Sequence, residues 1–157
     1  MPHSADRDAL LTTLVPICSA INGLDLADND VETTLTRLFP PTGHTISHIG
    51  QQLNAAFAAG WLCPKENMGV KFGRVAKATP HTFNLSIDAV EMNGAGAPHT
   101  HPNGEVSLCF PLEGTPTFES HTDGWVVMAP GSRHVPAVTG GRMLIIYFLP
   151  GGEMKWG

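Results

Sequence analysis

From residue 60 onward the chain is cut into short segments by glycine and proline, and this punctuation restricts the fold more than any other feature. Residues 61–157 hold thirteen of the seventeen glycines and nine of the thirteen prolines. Between them lie runs that predict strands over 69–77, 82–91, 104–113, 115–120, 124–128, 133–138 and 142–149. In one of these, Phe83, Leu85, Ile87 and Ala89 alternate with Asn84, Ser86 and Asp88, the period of a half-buried strand. Residues 143–149 are apolar on both faces, which predicts a central strand covered on both sides. Short strands with no helix between them pack as a sandwich or close as a barrel.

Residues 1–60 follow a helical period instead. Leu10, Leu14, Ile17, Cys18 and Ile21 predict a helix over 5–22, with Pro16 expected to kink it or begin a new segment. A second helix is expected from near Asn29, where Asn29-x-x-Glu32 has the form of a capping box, to the Phe39-Pro40-Pro41 stop. A third runs from about 45 to 59 on Ile46, Ile49, Leu53, Ala56 and Phe57, and Gly60 closes it. His44 and His48 share a face of it, but no carboxylate or cysteine is near in sequence, so they read as solvent-facing. The expected organisation is a helical segment, 1–60, packed on a β domain, 61–157, or on a partner subunit.

The chemistry concentrates in 94–105, Gly-Ala-Gly-Ala-Pro-His-Thr-His-Pro-Asn-Gly-Glu. His99 and His101, one residue apart on an extended strand, project from the same face. Glu105 has their parity if the Pro102-Asn103-Gly104 turn keeps phase. Two imidazoles and a carboxylate are a common first-row transition-metal ligand set. His134, in Pro130-Gly131-Ser132-Arg133-His134, supplies a fourth candidate.

This pattern resembles the cupin superfamily, whose first motif runs Gly, five residues, His-x-His, three or four residues, Glu, six residues, Gly. Here four residues separate Gly94 from His99 (or Asn93 replaces the glycine), and Gly114 follows Glu105 after eight residues rather than six. An excess of two keeps each side chain on its face. The second motif is matched by Gly124, Pro130, Gly131 and His134 with one residue missing between Pro and Gly, and Val138 replaces its Asn. The resemblance implies a mainly β fold, a cupin-type small β-barrel or jelly roll, with the helical segment in front.

Over most of its length the chain also resembles the 4-hydroxylaminobenzoate lyase family. That likeness is carried by Gly60-Trp61-Leu62-Cys63, Gly73-Arg74-Val75, His99-x-His101-Pro102-Asn103-Gly104-Glu105 and Trp125 through Ala129-Pro130-Gly131-Ser132-Arg133-His134. It implies a carbon–nitrogen lyase acting in nitroaromatic breakdown. The substrate, 4-hydroxylaminobenzoate, gains one water and loses one ammonia to give 3,4-dihydroxybenzoate. His99, His101 and His134 would hold a divalent transition metal, with Fe, Mn, Zn, Ni and Co all acceptable to such a set. Glu105 would complete the shell or transfer protons. An inward arginine, Arg74 before Arg133 or Arg142, would bind the substrate carboxylate. Two alternatives use the same ligands: a metal-dependent cupin dioxygenase for a small aromatic acid, and a non-catalytic small-molecule-binding cupin.

The remaining features narrow the setting. Net charge is −5 with no basic cluster, which argues against nucleic acid. No apolar run reaches membrane-span length, and the polar start predicts no signal peptide, so a cytoplasmic protein is expected. Cys18, Cys63 and Cys109 are odd in number and scattered, against a disulfide framework. Cys109 reads as core, Trp61 and Trp125 as packing residues, and His121 as an exposed residue of a hairpin turn over 121–124. A homodimer acting on a small aromatic carboxylate is expected.

Overall fold

The computed structural model describes residues 3–157, so the first two residues of the 1–60 segment lie outside it. Helix α1 (Ser4–Asn22) buries Leu10, Leu14, Ile17, Cys18 and Ile21 along one stripe. Pro16 lies inside it without ending it. The apolar stripe anchors the helix on both sides of the lost backbone hydrogen bond, and tertiary packing outweighs the local preference. Helix α2 (Val31–Leu38) begins two residues after Asn29, and its N-cap, Asp30, makes no side-chain capping bond. The expected capping box does not form, because the Glu32 carboxylate turns to His121 and the Val127 N–H. Helix α3 (His44–Ala58) buries Ile46, Ile49, Leu53 and Ala56, and leaves His44 and His48 exposed.

Nine strands follow among the described residues: β1 (Lys65–Asn67), β2 (Val70–Ala76), β3 (Leu85–Met92), β4 (His99–His101), β5 (Glu105–Phe118), β6 (Gly124–Met128), β7 (Ser132–His134), β8 (Val138–Pro150) and β9 (Lys155–Trp156). They form a six-stranded sheet, β1-β2-β3-β8-β5-β6, and a three-stranded sheet, β7-β4-β9. Every described pairing between strands is antiparallel. The result is a mainly β jelly roll of the cupin type. Its two sheets face each other rather than joining in one continuous ladder.

Strand β8 shows how the sequence builds two layers of core. Leu144, Ile146 and Phe148 enter the cluster shared with the helices, while Met143, Ile145 and Tyr147 enter a second cluster with Cys109, Phe118 and Val126. One face packs against α1–α3 and the other looks into the sandwich, which is why the strand is apolar throughout. Trp125 joins the helix side, and its indole N–H donates to the Phe39 carbonyl at 2.9 Å.

The expected strands 104–113 and 115–120 are one strand, β5. Its ladder with β8 slips between Pro111 and Glu113 and again between Gly114 and Thr117. Gly114 and Gly140 lie in the left-handed region at φ 74° and 84°, and a Cβ on Gly141 would sit 2.0 Å from the Glu113 carbonyl oxygen. Close approach of the two backbones thus requires glycine at this bend. The expected segment 133–138 divides between β7 and the start of β8. Strands β1 and β9 are too short to show a period in the sequence.

Candidate metal centre

Strand β4 places His99 and His101 on one face, both buried, with ring centroids 4.6 Å apart. Across the ladder His134 of β7 lies directly opposite His99. Its ring is 4.8 Å from that of His99 and 5.0 Å from that of His101. One nitrogen from each of the three falls within 4.8 Å of the others. Glu105, fully buried, enters at His101: its Oε2 lies 2.8 Å from His101 Nε2. It comes from the opposite sheet. The 102–104 turn carries the chain across the sandwich with Gly104 at φ 85°, where a Cβ would meet the Met128 carbonyl oxygen at 2.9 Å.

Hydrogen bonding divides each ring into a tethered and a free nitrogen. His99 Nδ1 lies 3.0 Å from the Ala97 carbonyl oxygen, His101 Nδ1 3.4 Å from Ser132 Oγ, and His134 Nδ1 3.0 Å from Glu119 Oε1. Glu105 Oε1 accepts from Ser107 Oγ at 3.0 Å. Six buried side-chain polar atoms lack a hydrogen-bond partner among the described residues. Four of them are His99 Nε2, His101 Nε2, His134 Nε2 and Glu105 Oε2. The His101–Glu105 approach is short but does not have hydrogen-bond geometry, so both atoms remain in that set. Stranding such atoms is costly unless something binds them. A divalent cation would bind the three Nε2 atoms, with the tethered Nδ1 atoms setting the tautomer that frees each one. The donor set therefore fits the metal that the motif implies. Burial pushes the His99 pKa below its usual value, which favours the neutral, ligating form.

Other groups singled out in the sequence lie elsewhere. Arg74 is not brought to the histidines. It pairs with Asp88, Nε to Oδ1 at 2.8 Å, and its side chain is half exposed. Register still puts it on the inner face of the large sheet, because Arg74 opposes Asp88, Asp88 opposes Tyr147, and Tyr147 opposes Ser107. Lys71 projects to the helix side, over the Phe57 ring. Arg142 binds Glu91 and Glu113, and Arg133 Nε donates to the Gly157 carbonyl oxygen. The three cysteines are free and buried; burial pushes the Cys18 and Cys63 thiols up to about 12.

Sequence reasoning missed two neighbours of the centre. Trp156 pairs with His99 across β9 and β4, with ring centroids 5.4 Å apart, and is 71% exposed. A two-residue strand gives no periodic signal. Glu119, which holds His134, lies in a turn where alternation no longer specifies direction. A cleft of about 320 Å³ between the end of α1 and the turns at 83–84, 103 and 130 contains none of the four candidate ligands, so the chemistry belongs to the buried cluster instead.

The chain is similar to known proteins over most of its length. The family model described as PnbB, 4-hydroxylaminobenzoate lyase, matches residues 13–156. A 4-hydroxylaminobenzoate lyase from Pseudomonas putida is 27% identical, over 96% of this chain and 95% of the relative. One from Nocardioides sp. (strain LMS-CY) is 29% identical, over 83% of each chain. Among solved structures, an RmlC-like cupin from Shewanella frigidimarina NCIMB 400 matches 57% of this chain and 83% of its own, at 21% identity and a TM-score of 0.42.

Proposed function

We propose, for a chain that belongs to the 4-hydroxylaminobenzoate lyase family, that it converts 4-hydroxylaminobenzoate and water to 3,4-dihydroxybenzoate and ammonia at the His99–His101–His134 cluster. The observation that carries this reading is the convergence of three histidines, each with a buried Nε2 that has no hydrogen-bond partner, with Glu105 Oε2 beside His101. In this reading the three histidines hold a divalent metal through Nε2. Bound there, it supplies Lewis acidity toward the hydroxylamino oxygen and eases deprotonation of water.

Glu105 is the proton-transfer group. Ser107 fixes Oε1, so Oε2 is directed at the cluster, where it takes a proton from the incoming water and returns one to the departing nitrogen. Full burial of the carboxylate excludes bulk water from this exchange. Each proton taken is later given back, and loss of the N–O bond reduces the nitrogen while the ring carbons are oxidised, so the reaction needs no external oxidant or reductant.

Arg74 binds the substrate carboxylate. Three strand spacings, about 14 Å, separate its backbone from that of Ser107 along the inner face. The arginine side chain at one end and the ligand side chains at the other shorten that gap toward the length of a para-substituted benzoate. Asp88 occupies the Nε and Nη2 positions of the guanidinium, leaving Nη1 for a second carboxylate. Arg74→Ala is expected to raise KM about 10- to 100-fold, the equivalent of one charge-assisted hydrogen-bond pair, with kcat little changed. Steady-state kinetics reporting a lost kcat at unaltered KM would refute that anchor.

The reading is tested by anaerobic incubation with 4-hydroxylaminobenzoate. Ammonia and 3,4-dihydroxybenzoate are expected in equal amounts, with both abolished by a chelator and restored by metal. Turnover that requires oxygen, or no turnover by metal-replete protein, would reject it.

A further inference from the structure

We propose that Glu119 is a positioning residue for His134, and that Glu32 of α2 holds Glu119 in place through His121, tying the amino-terminal helices to the metal centre. This rests on the metal reading of the histidine cluster.

The three tethered Nδ1 atoms have different acceptors: a backbone carbonyl for His99, a hydroxyl for His101 and a carboxylate for His134. The carboxylate is the only charged one of the three. It fixes the Nδ1–H tautomer most firmly and makes Nε2 the strongest donor.

Glu119 reaches that position through an unfavourable turn. Glu119 and Ser120 both have positive φ, 49° and 67°. They are the central pair of a tight turn closed by Phe118 N–H to the His121 carbonyl oxygen at 2.9 Å and the reverse bond at 2.8 Å. Asn-Gly suits such a turn, whereas Glu-Ser carries a steric cost that other contacts must offset.

His121 supplies those contacts. Its Nδ1 lies 2.7 Å from the Glu119 carbonyl oxygen and its Nε2 lies 2.8 Å from Glu32 Oε1. Both partners are acceptors, so the imidazolium form satisfies both at once. Burial lowers the His121 pKa, but the bonds to the Glu119 carbonyl and to Glu32 outweigh it and the net shift is upward. The second oxygen of Glu32 accepts the Val127 N–H of edge strand β6 at 3.2 Å. Glu32 lies in the first turn of α2, where negative charge is favoured. A continuous chain thus runs from α2 through His121 and Glu119 to His134.

The test measures cobalt(II) affinity by competition with a chromophoric chelator, together with the visible absorption of the cobalt-loaded protein. Glu119→Ala is expected to weaken cobalt binding about 10- to 100-fold and to shift the cobalt bands. Glu119→Gln, which keeps an acceptor without the charge, should recover part of the loss. Glu32→Gln should weaken binding by a smaller factor in the same direction. A purely structural role would lower the melting temperature of metal-free protein and leave the cobalt spectrum unmoved. Wild-type affinity and spectrum in Glu119→Ala would overturn the positioning role. Unchanged affinity in Glu32→Gln would overturn the link to α2. Wild-type protein that takes up no cobalt would overturn the metal reading itself, a result distinct from equal, tight uptake by wild type and variant.

Discussion

Replacing His101 with alanine is expected to remove metal retention and, with it, release of ammonia from 4-hydroxylaminobenzoate. His101 is fully buried in the cluster, with ring centroids 4.6 and 5.0 Å from the other two and Glu105 beside it. Two histidines cannot hold a divalent ion against solvent as three do, and the carboxylate loses its neighbour. The same argument predicts that metal stabilises the wild-type fold. Each unpaired buried polar atom costs about 1–3 kcal/mol, and a ligand present at a thousand times its dissociation constant contributes about 4 kcal/mol. For a domain of this size that is a rise in melting temperature on the order of 10 °C. Calorimetry with and without metal should show this shift in wild type and none in His101→Ala. A variant that keeps stoichiometric metal, or the full shift, would show that the three-histidine site is misassigned.

Glu105→Gln separates the two roles a carboxylate can take here. The amide keeps the shape and can still accept from Ser107, but it cannot carry a proton between water and nitrogen. Turnover is expected to fall about 10²- to 10⁴-fold, the usual contribution of a positioned acid–base group. Metal content should remain near that of wild type, because the mutual cluster within 4.8 Å is formed by the three histidines. Metal analysis beside kcat decides the matter: parallel loss of both would make Glu105 a ligand instead.

Much of this architecture is legible in the sequence. The apolar stripes of α1 and α3 and the doubly apolar β8 follow from periods of 3.6 and 2, which report local geometry directly. Departures occur where local preference met a stronger tertiary demand. Pro16 does not begin a new segment within α1, because the stripe packs on both sides of it. Glu32 does not cap α2, because its two oxygens are taken by His121 and Val127. His121, expected in an exposed turn, is the return residue of a turn centred on Glu119 and Ser120.

That His99 and His101 share a face follows from strand alternation alone, since alternate residues of a strand have no other choice. The same rule puts Arg74 and Lys71 on opposite faces of β2. What meets those histidines depends on long-range packing. His134 arrives by ladder pairing with His99, 35 positions away, Glu105 crosses from the facing sheet, and Glu32 reaches His121 across 89 residues. Backbone geometry propagates side-chain direction reliably only over a few residues and is lost at each turn. Contacts beyond that range are set by how two sheets and a helical layer bury their apolar faces together.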